Sequence, residues 1–342
     1  MIRLMMALLL LALPAWAQED TARFGTGATV LTLRSTTDIA IVRPAIERFV
    51  ATNPDLSVAY EQWGSNDLFA DSRAACDGEH APADAVLSSA VQHMVWLVNA
   101  ACAQPYQSPA TDSLPDTRRW RNELWGLTEE PAVIIYNRRI IADADVPRSR
   151  FALLDLMRAP PDALVGRIAT YDIGASGLGY LFAHADSLEA TTFGAMLEGF
   201  ARVDAVATCC SAEIIEGVAS GRYHIAYNVL GSYVAGDMDR DVGVILPEDY
   251  TLILSRSYMI PRGAAHPQAA ARLLDFLLSA QAQEILAEAG LVMTRDLVET
   301  ALGASGRRVI ALSPALLVAL DRNRRAQLFA LWDNAFRTER GP

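Results

Sequence analysis

Short apolar runs alternate along this chain with stretches whose apolar residues recur at helical spacing, and polar turns separate the two. Ala28–Leu33 (ATVLTL) predicts a buried strand, Arg34–Asp38 (RSTTD) a turn, and Ile39–Val50 a helix. The unit recurs. Leu56–Glu61 precedes Gly64–Asp67 (GSND) and a helix near Leu68–Ala75; Ala83–Leu87 precedes Ser88-Ser89 and a helix over Val91–Ala101. A second series follows the link Gln104–Pro115. Leu124–Thr128, Ala132–Tyr136, Arg167–Tyr171 and Tyr223–Asn228 read as strands, the third running into the glycine-rich turn Asp172–Leu178 (DIGASGL) and a helix around Leu178–Ala185. Tyr250–Ser255 and Ser257–Ile260 then lead to a helix over Pro267–Leu278, and Pro314–Arg337 predicts one amphipathic helix packed on the body. Strands alternating with helices define an α/β chain with largely parallel sheets.

The N-terminus adds a destination. Arg3, the apolar run Leu4–Leu13, Pro14 and Ala15-Trp16-Ala17 have the order of a secretory signal at 1–17, with cleavage expected after Ala17. That run is too short to span a bilayer, so the remaining chain is expected to be exported and soluble. Its length suits two domains. The formal charge is −11 and every basic side chain is arginine, which argues against nucleic-acid binding. Cys76 and Cys102 flank a predicted strand and helix, so a bridge between them is geometrically possible. Cys209 and Cys210 are adjacent, and bridging them distorts the intervening peptide; free thiols packed as small hydrophobes are expected there.

Hydroxyls and glycines recur where a strand ends and a helix begins, the edge of an open α/β sheet at which ligands bind. Ser35-Thr36-Thr37, Ser88-Ser89 and Ser176-Gly177 are three such places. Each alone is an N-cap; together they describe a cleft lined with neutral donors, suited to anionic oxygen. Catalytic patterns are missing. Gly174–Leu178 lacks the second glycine of a nucleophile elbow, the glycines do not fit G-x-G-x-x-G, and there is no H-E-x-x-H or C-x-x-C. The five histidines are widely spaced, and Glu129 and Glu130, adjacent on a strand, point to opposite faces.

The segments Trp120–Asn137, Thr170–Tyr180, Ala226–Tyr233 and Pro267–Leu278 together resemble type II periplasmic binding proteins. Within these they resemble the ferric-iron-type solute receptors of ABC transporters. They are most similar to the branch containing the phosphoglycerate-transport regulatory protein and receptors of two-component sensors. The resemblance runs from about Val30 to Leu291. It implies a two-lobed fold with two hinge-crossing strands and a C-terminal helical tail: lobe 1 at 27–123 and 256–305, lobe 2 with the hinge strands at 124–255, and the tail at 306–342. Iron-binding relatives carry paired adjacent tyrosines where this chain has Gly231-Ser232-Tyr233, leaving one phenol where hard Fe³⁺ needs several anionic oxygens.

The expected ligand is therefore a small phosphorylated or carboxylated metabolite. Ser35, Thr36, Thr37, Ser88, Ser89, Ser176, Gly177 and Ser232 are expected to donate to it, with Tyr171 and Tyr233 shaping the wall. Glu129 would accept from a ligand hydroxyl, Asn228 would orient the far end, and Ser211, after Cys210, would begin a helix that adds backbone donors. No catalysis, metal, cofactor or nucleic acid is expected. The partners would be an ABC permease or a membrane sensor kinase, and the chain a monomer. The alternatives are a ferric receptor and a periplasmic enzyme working through the thiols of Cys209-Cys210.

Overall fold

The computed structural model describes residues 18–159, 163–189, 191–235, 241–292 and 306–336, so the expected leader at 1–17 lies outside the described residues. The first lobe contains β1 (Gln18–Phe24), β2 (Thr29–Ser35), α1 (Ile39–Thr52), β3 (Leu56–Trp63), α2 (Ser65–Cys76), β4 (Ala85–Ser88), α3 (Val91–Asn99), α4 (Pro109–Asp112), β5 (Arg119–Trp120) and β6 (Leu124–Gly126). The second contains β7 (Glu130–Asn137), α5 (Arg150–Arg158), β8 (Ile168–Tyr171), α6 (Gly177–Glu189), α7 (Phe193–Arg202), β9 (Val206–Thr208), α8 (Ser211–Ala219), β10 (Ile225–Leu230), α9 (Ser232–Ala235), β11 (Val242–Ile245) and β12 (Thr251–Leu254). The chain then returns to the first lobe with β13 (Ser257–Met259), α10 (Pro267–Leu278) and α11 (Ala280–Glu288).

Each lobe is built on one sheet. The first has the order β1-β3-β2-β4-β13-β6-β5, with β2 parallel to β3 and β4. The second has the order β14-β12-β7-β10-β8-β9, where β14 is Arg307–Val309 and β11 also pairs with β7. Alternation explains the central strands: in β2, Leu31, Leu33 and Ser35 face inward and are fully buried. Helix α1 buries Ile39, Val42, Ala45, Ile46 and Phe49, a stripe at helical spacing. Strand β1 went unpredicted because its residues QEDTARF are polar and mostly exposed on the sheet edge, so it carries no apolar alternation.

Before the tail, the chain passes between the sheets at two segments, 127–129 between β6 and β7 and 255–256 between β12 and β13, and it returns to the second sheet once more at β14. Strand β6 belongs to the first sheet, so the crossing starts past 124, the expected boundary of the second lobe. Separate apolar cores fill the lobes. One holds Leu33, Phe49, Tyr60 and Tyr258; the other holds Ile134, Met157, Phe200 and Trp332. A third joins them, with Val91, Met94 and Val95 of α3 in one cluster with Tyr171, Phe182 and Val229.

The tail is more than the single expected helix. After β14, which extends the second sheet beside β12, a 3₁₀ helix (Pro314–Leu320) packs on α3 of the first lobe. A final helix, Arg322–Ala335, packs on α7 of the second, with Phe336 stacked on Trp332 and tilted against Phe200. Asp321 separates the two: its carboxylate accepts from the N–H groups of Asn323 and Arg324 and starts a new helix where the apolar period alone suggested continuity.

Both cysteine pairs are disulfides. Cys76–Cys102 ties the end of α2 to the residues after α3. Cys209–Cys210 is bonded as well, which corrects the expectation of free thiols there and leaves no free cysteine in the chain. A thiol-dependent mechanism at that pair has no thiolate to work with.

Candidate functional site

Between the lobes lies a cavity of about 200 Å³. The first lobe lines it with Thr36, Asp38, Gln62, Trp63, Ser65 and Ser89, and the second with Tyr171, Ser176, Cys209, Cys210, Ser211 and Tyr233; Glu19 of β1 stands at its edge. Every parallel strand of the first sheet delivers a turn to this place: β2 leads to Thr36, β3 to Gln62 and Ser65, β4 to Ser89. Strands β8 and β9 deliver Ser176 and Ser211 from the other side.

Two helix starts, those of α2 and α8, face the cavity. The N-cap residues of α2 and α8, Gly64 and Cys210, accept no hydrogen bond through their side chains. Their first N–H groups have no intrahelical partner, so both helices turn positively polarised ends to the cavity from opposite lobes, α2 with the carboxylate of Asp67 in its first turn. At α6 the Ser176 hydroxyl accepts from the Gly179 N–H at 3.0 Å. Thr36 and Ser89 meet across β2 and β4: Thr36 Oγ1 accepts from the Ser89 N–H at 2.9 Å and shares a hydrogen bond of 3.1 Å with its hydroxyl. Tyr171 OH and Ser211 Oγ are 2.6 Å apart.

The charged groups on the wall are acidic. Tyr233 OH reaches from the second lobe to Asp38 Oδ1 at 3.3 Å and to the carbonyl of Thr36 at 3.2 Å. Burial raises the pKa of Asp38, against the opposing pull of Arg256 and the Tyr233 hydrogen bond. Gln62 ties the first-lobe groups together, donating to Glu19 Oε2 at 3.1 Å while its Oε1 accepts from the Ile39 N–H at 3.0 Å.

The lobes are in contact. Asn66 Nδ2 donates to the carbonyls of Gly174 and Ala175 at 2.9 and 3.0 Å, Ser65 Oγ accepts from the Gly177 N–H at 2.9 Å, and Gln92 Nε2 donates to the Gly177 carbonyl at 2.7 Å. Gly177 is required here, since a Cβ on it would stand 2.7 Å from His93 Cε1. His93, stacked on Phe69 at 4.3 Å, is so deeply buried that its pKa falls to about 4, helped by the nearby Arg325.

Six of the expected residues, Thr36, Ser89, Tyr171, Ser176, Ser211 and Tyr233, line the cavity, and Gly177 forms a contact between the lobes. The others are used elsewhere. Ser35 and Ser88 are strand-terminal residues turned into the core, where their hydroxyls accept from the N–H groups of Thr37 and Ala90. Thr37 and Ser232 belong to a buried cluster around Arg256 and Glu130. Asn228 sits in a β-bulge with φ +56° and donates to Asp186 Oδ2 at 2.6 Å. Asp186 also accepts from Arg150, Tyr227 and Tyr250 inside the second lobe. Glu129 is paired with Arg118 at 3.2 Å in a different pocket. Asp38, Gln62, Trp63 and Ser65 were missed as site residues. Ser65 had the same signal as the others, a hydroxyl between strand and helix, and Asp38 ends the same polar turn as Ser35-Thr36-Thr37; Gln62 and Trp63 had none.

Residues 34–284 match the model of the bacterial extracellular solute-binding protein family. A substrate-binding protein of an ABC transporter from Agrobacterium tumefaciens is 32% identical, with a TM-score of 0.86 over 93% of this chain and 98% of that one. The chain belongs to the bacterial extracellular solute-binding protein family. Two more distant structures share the fold. AfuA from Actinobacillus pleuropneumoniae, with exogenous fructose-6-phosphate bound, is 15% identical (TM-score 0.69; 91% and 99% covered). The apo ferric ion-binding protein A of Pasteurella haemolytica is 19% identical (TM-score 0.68; 92% and 100% covered). No curated protein matches the chain.

Proposed function

We propose that this receptor captures a small anionic metabolite, phosphorylated or carboxylated, in the cavity between its lobes and presents it in the periplasm to an ABC permease. The observation that carries this reading is the pair of uncapped helix starts, α2 and α8, facing the cavity from opposite lobes. Such a site gains its anion affinity from backbone N–H groups and hydroxyls of Ser65, Ser89 and Ser176, with no arginine among its described lining residues. Asp38 and Glu19 then accept from hydroxyls of the same ligand, the part first given to Glu129.

Distant relatives of this fold include a protein with fructose-6-phosphate bound and ferric ion-binding proteins, so the choice between these classes rests on the cavity. Burial pushes the Tyr171 and Tyr233 phenols upward, away from the phenolate that Fe³⁺ prefers. The sequence branch with two-component receptors supports a sensor kinase as a second docking partner. The receptor acts as a monomer, without catalysis or nucleic acid.

Thermal melting of refolded, ligand-free protein against phosphorylated and carboxylated metabolites tests the reading. A true ligand at a hundred times its Kd should add about 3 kcal/mol of stability. A flat screen, together with visible charge-transfer absorbance on adding Fe³⁺, would reject it in favour of the ferric receptor.

A further inference from the structure

The Cys209–Cys210 disulfide lies in the cavity wall, between β9 and α8. Cys210 is the N-cap of α8, a position usually held by Ser, Thr, Asp or Asn, whose oxygen would occupy the helix's first N–H groups. A half-cystine leaves those groups open. Closing a ring across one peptide bond also removes backbone freedom from the residues that lead into the helix. The surroundings work the same way. Glu213, the carboxylate in the first turn of α8, accepts a hydrogen bond from Thr208 Oγ1 and does not line the cavity. Ser211 is held by Tyr171.

We propose that the Cys209–Cys210 disulfide is a positioning element for ligand recognition: it fixes the uncapped start of α8 toward the oxyanion and sets its sulfurs against the ligand's carbon skeleton. This rests on the anionic-ligand reading above. Affinity then depends on a cross-link that adds no charge, because donors already held in place lose less entropy on binding.

The test compares wild type with Cys209→Ser/Cys210→Ser and with Cys209→Ala/Cys210→Ala, the latter in case new hydroxyls cap the helix. Cys76→Ser/Cys102→Ser serves as the control. Hydrogen exchange without ligand should accelerate in residues 208–214 of both 209/210 variants and stay unchanged in α2. Calorimetric titration with fructose 6-phosphate and 3-phosphoglycerate should show about tenfold weaker binding in those variants and wild-type affinity in the control. Unchanged exchange, or equal affinity for a probe that wild type binds, overturns the proposal and leaves the anionic reading intact. Wild type that binds neither probe counts against the anionic reading, and the exchange result alone then decides whether the disulfide holds α8.

Discussion

Arg256 and Glu130 meet where the two crossing segments run side by side, Nε to Oε1 at 2.8 Å, and neither residue is exposed to solvent. Arg256 also donates to Thr37 Oγ1 at 2.9 Å, Glu130 accepts from Ser232 and Thr128, and Leu254 pairs with Glu130 in the sheet. The crossing between the lobes thus carries a fully paired buried charge, with the ring of Tyr233 5.3 Å from the guanidinium.

Removing one partner leaves the other charged and buried. Glu130→Ala should cost about 3–5 kcal/mol, seen as a large drop in melting temperature. Glu130→Leu combined with Arg256→Met should recover most of that loss while altering ligand-driven closure.

Gly177 gauges closure. Gly177→Val places side-chain atoms against His93 and Ser65, both of which belong to the other lobe. Small-angle scattering should report an open form, and ligand-induced stabilisation should fall by at least about 1 kcal/mol relative to wild type.

His93 predicts a pH dependence. Its folded-state pKa of about 4 lies below the unfolded value near 6.5, so the unfolded chain binds the extra proton between those limits. Its stabilising contribution is complete above the unfolded value and is lost as pH falls from there toward about 4, by up to roughly 3 kcal/mol. In His93→Phe, melting temperatures measured across that window should lose this slope.

The Cys76–Cys102 bridge closes a loop over a separation of 26 residues. Replacing both cysteines by serine should lower stability by about 3 kcal/mol without changing ligand affinity, since neither residue lines the cavity.

Local pattern carried the strand and helix order. Pro267–Leu278 is a helix with the expected bounds, and α1, β3 and β8 lie within a few residues of expectation, because apolar spacing directly reports which face is buried. The same pattern could not say which hydroxyl at a strand end faces the cleft. Ser35 and Ser88 point inward while their neighbours Thr36 and Ser89 line the cavity, a one-residue distinction set by strand register. Glu129 and Glu130 show it again. They do point to different places, but Glu130 is claimed by Arg256, a residue 126 positions away.

The sequence by itself determined the α/β order, the likeness to solute receptors and the recurrence of hydroxyl-bearing turns where strands give way to helices, since each is a property of short segments. Tertiary structure decided which turns meet: Asp38 with Tyr233, Ser65 with Gly177, and the Cys209–Cys210 bond in the cavity wall. Those pairings depend on how the two lobes pack across the crossing segments, and no local period encodes that distance.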